Sequence, residues 1–136
     1  MVESRILIVE NDDALRQKLY RGMLDVDLFS DCATDARQAI ELLAQRAYSI
    51  IILDLAVAGG SDVVLAAVQR MPNGERPIVL GTAESDHLTR VEAEGVQVVI
   101  RRPLRVREIT ELTRACIDAS AQRRRKAGSR DDELRA

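Results

Sequence analysis

Ser49-Ile50-Ile51-Ile52-Leu53-Asp54-Leu55 is an apolar run interrupted only where it presents one carboxylate, Asp54. A continuous run with β-branched residues and no polar alternation predicts a strand covered on both faces, as in the middle of a parallel sheet. Asp54 then stands at the carboxyl end of that strand. Ligands in open α/β sheets bind in the crevice beyond those ends, so an acid placed there is a candidate for chemistry. The same residue also commonly does no more than satisfy loop amides.

Composition narrows the rest. At 136 residues the chain is long enough for one domain with one core, without disulfides or a structural metal. Aromatic residues are 2% with no Trp, which argues against stacked nucleobases, flavin rings or an aromatic-lined groove. A formal net charge of -2 gives no global field toward nucleic acid or membrane, so neither is expected as a partner. Cys32 and Cys116 lack any metal-ligand spacing and read as two small buried thiols of a cytosolic protein. No signal peptide and no apolar run of membrane-spanning length is seen, and the expected location is cytoplasmic.

In chain order, Arg5 to Val9 is a second apolar β-branched run, and it also ends in polar groups: Glu10, Asn11, Asp12 and Asp13. A helix follows on Leu15, Leu19, Met23 and Leu24, capped by Asp12 or Asp13. Leu28 to Cys32 reads as a short strand. Thr34 to Arg46 reads as a helix burying Ala36, Ile40, Leu43 and Ala47, with Thr34 or Asp35 as its N-cap. After the Asp54 strand, Gly59-Gly60-Ser61 marks a turn and Asp62 to Met71 a helix with Val64, Leu65 and Val68 inward. Pro77 to Gly81 predicts a fourth strand ending at Thr82-Ala83, residues 84–94 a short helix capped by Gly95, and Val96 to Ile100 a fifth strand. A last helix runs from Val106 to about Ala119, with Ile109, Leu112, Cys116 and Ala119 on one face. Five strands alternating with five helices predict a doubly wound parallel sheet covered on both sides.

Residues 1–120 form the domain. Residues 121–136 form a charged tail, net +3 against -5 for the rest, read as a flexible or frayed helix end.

In such a sheet the ends of the first, third, fourth and fifth strands converge. That brings Glu10, Asn11 and Asp12 near Asp54, Thr82 and Arg102. The ordered set Ile6-Leu-Ile-Val-Glu-Asn-Asp-Asp-Ala-Leu-Arg16, Ile52-Leu-Asp-Leu55, Thr82-Ala83 and Arg102-Pro103 resembles the receiver domain of bacterial two-component response regulators, a flavodoxin-like fold, from residue 3 to about 119. The resemblance implies that Asp54 is the phosphoacceptor, a carboxylate nucleophile taking a phosphoryl group from a histidine kinase or phosphotransfer protein. It implies Mg²⁺ held by Glu10, Asn11, Asp54 and the backbone carbonyl of Ala56. It also implies that Thr82 and Ala83 meet the phosphoryl oxygens, that Arg102 stands for the family's lysine, that Thr82 and Val99 occupy the switch positions, and that Arg102-Pro103 is cis. The domain itself is then a signalling module rather than an enzyme acting on a separate substrate.

The departures bear on the same positions. Asn11 is a neutral ligand where the family has an aspartate, which weakens magnesium binding. Arg102 replaces a compact ammonium by a planar fork, suited to pairing with Asp54 in a locked ground state. Val99 has no ring to swing. The loop after Asp54 has Ala58 for the common proline and Asp62 for a glycine, and the stretch from Thr82 to Gly95 is about two residues short of the family's, which implies a short or displaced helix there.

Two readings stand together at this point: a phosphoswitch that changes partner binding, and an atypical receiver that binds protein without phosphorylation. A hydrolase or flavin protein on this fold is disfavoured, since no second Asp follows Asp54 by two residues and no hydroxyl- and glycine-rich loop follows the first strand. His87 reads as a surface residue, and Leu104 and Val106 as core packing beside solvated Arg105 and Arg107. The expected partners are an upstream kinase or phosphotransfer protein, a downstream protein target and a second copy meeting through the last helices. With no output domain after residue 120, the chain reads as a stand-alone or excised receiver.

Overall fold

The structure, a computed structural model, describes residues 5–84 and 95–135, with side chains described through residue 123. Strands β1 (Arg5–Val9), β2 (Phe29–Ala33), β3 (Ile50–Asp54), β4 (Ile78–Ala83) and β5 (Val98–Arg101) form one parallel sheet in the order β2-β1-β3-β4-β5. The long central run lands where its apolar continuity requires. All five residues of β3 are buried, flanked by β1 and β4. At one edge, β2 is half open to water and Phe29 is 54% exposed.

Helices α1 (Asp13–Asp25), α2 (Ala36–Gln45), α3 (Ser61–Gln69) and α4 (Val106–Arg135) connect or follow the strands. Strand alternation sorts the core into two layers. Leu7, Val9, Ile51, Leu53 and Val79 pack with Ala36, Ala39 and Leu43 of α2 and with Val64, Leu65 and Val68 of α3. Ile6, Ile8, Ile50, Ile52 and Leu80 pack on the other face with Leu19 and Met23 of α1 and Ile109 of α4. There α1 and α4 approach so closely at Gly22 that a methyl would lie 2.6 Å from Val106 Cγ1.

Caps resolve as the side chains allow. Asp12 accepts the Leu15 amide, and Asp35 accepts the Gln38 amide while Gln38 reaches back to Thr34. Several expectations are corrected. Ala39 rather than Ile40 is buried on α2, because Ala36, Ala39 and Leu43 make the tighter stripe; Ala47 lies beyond the helix and is exposed. Leu24 and Ala119 also face solvent, and both cysteines are half-buried. The last helix does not stop near Ala119 but runs to Arg135. Residues 119–127 are mostly Ala, Gln, Arg and Lys, strong helix formers that need no apolar face to continue the helix. Glu84 is not helical, and the rest of the helix expected over residues 84–94, His87 with it, lies outside the described residues.

Candidate functional site

Alternation and register assemble a site at the carboxyl ends of the strands. Ile8, Ile52, Leu80 and Ile100 face the α1–α4 layer, and two residues further along the chain the same side carries Glu10, Asp54, Thr82 and Arg102. The ladder sets them level. Asp54 pairs with Thr82 and Thr82 with Ile100, while the Val9–Leu53 pair puts Glu10 beside Asp54.

Arg102 ties the group together. Its Nη2 donates to Glu10 Oε1 at 2.5 Å, lies 3.2 Å from Asp54 Oδ1, and donates to Thr82 Oγ1 at 3.3 Å. Glu10, Asp54 and Thr82 are 3%, 8% and 1% exposed, and Arg102 keeps a fifth of its side chain open to water. Burial acts to lower the guanidinium's pKa, but the Glu10 hydrogen bond and the Asp54 charge outweigh it and hold Arg102 above its ordinary value. The amide of Arg102 donates to the Ala83 carbonyl at 3.0 Å, which seats the residue just past β5, and the Arg102–Pro103 bond is cis, as expected.

Local backbone turns both acids into place. The Ala56 amide donates to Asp54 Oδ1 at 3.0 Å, an Asx geometry closed two residues on, leaving Oδ2 without a hydrogen bond from the described residues. The Asp12 amide donates to Glu10 Oε2 at 3.2 Å. Arg16, which sequence reasoning passed over, donates to the carbonyls of Glu10 (2.9 Å) and Asn11 (3.4 Å) and pairs with Asp13. Its signal was spacing: it stands one helical turn after the Asp12 cap, and helical side chains lean back toward the N-terminus. Asn11 itself is exposed. Val99 pairs with Gly81 and, by strand alternation, faces the other side of the sheet from Arg102.

No family model matches the chain. The transcriptional regulatory protein PmrA of Pectobacterium parmentieri is 28% identical over 132 residues, 96% of this chain and 57% of that protein. The sensor histidine kinase AruS of Pseudomonas aeruginosa is 34% identical over 111 residues, 76% of this chain and 11% of that one. The chain thus spans only part of the curated relatives it matches. Among solved structures, the receiver domain of a Pseudomonas aeruginosa sensor histidine kinase, with magnesium coordinated in its active-site cleft, superposes with a TM-score of 0.75 at 14% identity, covering 86% of this chain and 99% of that one. The chain has the receiver-domain fold.

In this chain the donor set does not fit a magnesium ion as arranged. A hard divalent cation wants several oxygens in near-octahedral geometry, two of them here from Glu10 and Asp54. Both carboxylates are instead engaged by one guanidinium, and Asn11 supplies no charge. An ion ligated by Glu10 Oε1 and Asp54 Oδ1 must first displace Arg102. Among the described residues, no group of three or more His, Cys, Asp or Glu side chains forms an alternative metal site. Nor, among them, is any helix long and apolar enough to cross a membrane.

Proposed function

We propose that this receiver accepts a phosphoryl group on Asp54 from a phosphohistidine of a kinase or phosphotransfer protein, and that the acceptance changes its affinity for a protein target. The observation that supports this reading is the convergence on one Arg102 nitrogen of Asp54 Oδ1 at 3.2 Å and Thr82 Oγ1 at 3.3 Å. A nucleophile, a hydroxyl and a fixed cation are thereby within reach of a single transferred group. Asp54 Oδ2 attacks phosphorus as the phosphorus–nitrogen bond of the donor breaks, and the histidine leaves with the bonding pair. Such a transfer needs positioning and charge neutralisation rather than a general base.

The acyl phosphate carries about one more negative charge than the carboxylate it replaces, together with additional acceptor oxygens. Arg102 then exchanges its Glu10 bond for the phosphoryl oxygens, with Thr82 donating alongside. Arg102 lies between β5 and the start of α4, so its movement reaches the surface those elements form, where a target or a second copy docks. Thr82 therefore carries the switch with Arg102, and Val99, lacking a ring, contributes no rotamer change.

Acetyl phosphate with intact-mass measurement, in MgCl₂ and in EDTA, tests the reading. The expected result is one phosphoryl adduct on the unsubstituted protein and none on Asp54→Asn. Absence of an adduct under both conditions refutes it. The Glu10–Arg102–Asp54 bridge then favours a second reading, a receiver locked as a phosphorylation-independent binding module.

A further inference from the structure

The cluster places a positive charge where it contacts both acids at once. Nη2 of Arg102 is 2.5 Å from Glu10 Oε1 and 3.2 Å from Asp54 Oδ1, and the two acids stand on neighbouring strands one step past the Val9–Leu53 pair. The remaining Glu10 oxygen accepts the Asp12 amide, so both oxygens of this carboxylate are engaged within the protein. Asp54 Oδ1 is likewise shared between the Ala56 amide and the guanidinium. The acid next along the chain, Asp12, is committed to the first turn of α1 through the Leu15 amide.

We infer that Arg102 is the resident cation of this site: its guanidinium takes the place of a divalent metal between Glu10 and Asp54, and the domain holds its strand-end acids together without magnesium. The physical reason is competition for the same oxygens. A divalent ion brought between them would sit beside a guanidinium that stays protonated at any working pH, and like-charge repulsion at this separation is strong where the surroundings are largely buried. A lysine would offer a point charge on a flexible stem that can withdraw from Glu10. The planar guanidinium stays on the acids until a phosphoryl group competes for it.

The test uses the whole chain and magnesium chloride alone, read by amide chemical shifts of Glu10, Asn11 and Ala56 in a two-dimensional nitrogen–proton spectrum. In the unsubstituted protein these amides should show no saturable shift up to about 20 mM magnesium, a range in which one or two carboxylates would ordinarily register the ion. Arg102→Lys and Arg102→Met should each convert the response to a saturable one, with a midpoint at or below about 2 mM, a tenth of that range. Saturation within that range in the unsubstituted protein, or identical titrations for all three proteins, overturns the inference. If Arg102→Met does not fold, Arg102→Lys, which keeps the charge, decides alone. Failure of this inference and failure of the phosphoacceptor reading are distinguishable. An adduct that forms only with magnesium sinks the resident-cation inference and keeps Asp54 as acceptor, whereas no adduct together with an absent magnesium response does the reverse.

Discussion

Replacing Arg102 by Met keeps much of the side-chain stem and removes the charge that holds two acids. The Glu10 and Asp54 side chains are 4% and 11% exposed, so neither can recover its hydration once the guanidinium is gone. Removing one member of a buried charged group costs about 3–5 kcal/mol, much of it the burden of the charges left unpaired. Arg102 is itself one-fifth exposed, so water partly screens the site and the lower figure applies: about 3 kcal/mol at pH 7. For a domain of this size that corresponds to a fall in Tm of about 10 °C, and in urea to a midpoint lowered by about 1.5 M with unchanged slope. Glu10→Gln in the Arg102→Met background should then restore at least about 1 kcal/mol, because a neutral amide replaces an orphaned carboxylate. Urea unfolding of the unsubstituted, single and double variants measures the coupling. A loss below about 1 kcal/mol for Arg102→Met, or single-variant losses that add to within about 0.5 kcal/mol, would refute the claim that the three residues act as one unit.

Further outcomes follow from other parts of the molecule. Gly22→Ala drives a methyl to 2.6 Å from Val106 Cγ1 and should cost about 1–3 kcal/mol in thermal or urea unfolding, with Val106→Ala relieving part of it. Tyr48 donates to Asp31 Oδ2 at 2.7 Å, an acid also paired with Arg5 and Arg46, and Tyr48→Phe should lose about 1.5 kcal/mol near pH 7. Burial, and after it Asp31, push the Tyr48 phenol above its ordinary value of 10.0, so the folded state keeps that proton longer than the unfolded chain does. Stability from Tyr48 is therefore complete below pH about 10 and lost above it, and the gap between unsubstituted protein and Tyr48→Phe should narrow in alkaline unfolding curves. Burial likewise raises the Cys32 and Cys116 thiols. Iodoacetamide at pH 8 should label both several-fold more slowly than free cysteine and lose that discrimination in denaturant.

What could be read in advance was what has a period or an order. The run Ile50 to Asp54 announced a central parallel strand because nothing polar interrupts it, and the sheet places it between β1 and β4. The candidate residues Glu10, Asp54, Thr82 and Arg102 were legible because each ends a strand-like segment, and register alone then levels them. Less legible were features decided by amphipathic competition or by propensity. Ala39 displaces Ile40 from the buried stripe of α2 by a rotation too small to show in a two-turn pattern. The extension of α4 to Arg135 rests on helix propensity with no apolar stripe to announce it. Arg16 was missed because its work is done on backbone carbonyls, which leave no trace in residue identity.

The partner of Arg102 shows where such reading ends. Pairing with Asp54 was foreseeable from opposite charge at strand ends separated by β4 alone; the shorter bond goes to Glu10, across both β3 and β4 of the sheet order. Two constraints select it. The Ala56 amide already draws Asp54 Oδ1 toward the loop, whereas Glu10 is anchored only at Oε2 and presents Oε1 inward. A guanidinium can reach both acids because its nitrogens lie at the end of a long stem, and here one of them, Nη2, meets both. With Asn11 neutral, one organic cation bridges the two acids that face it, Glu10 and Asp54.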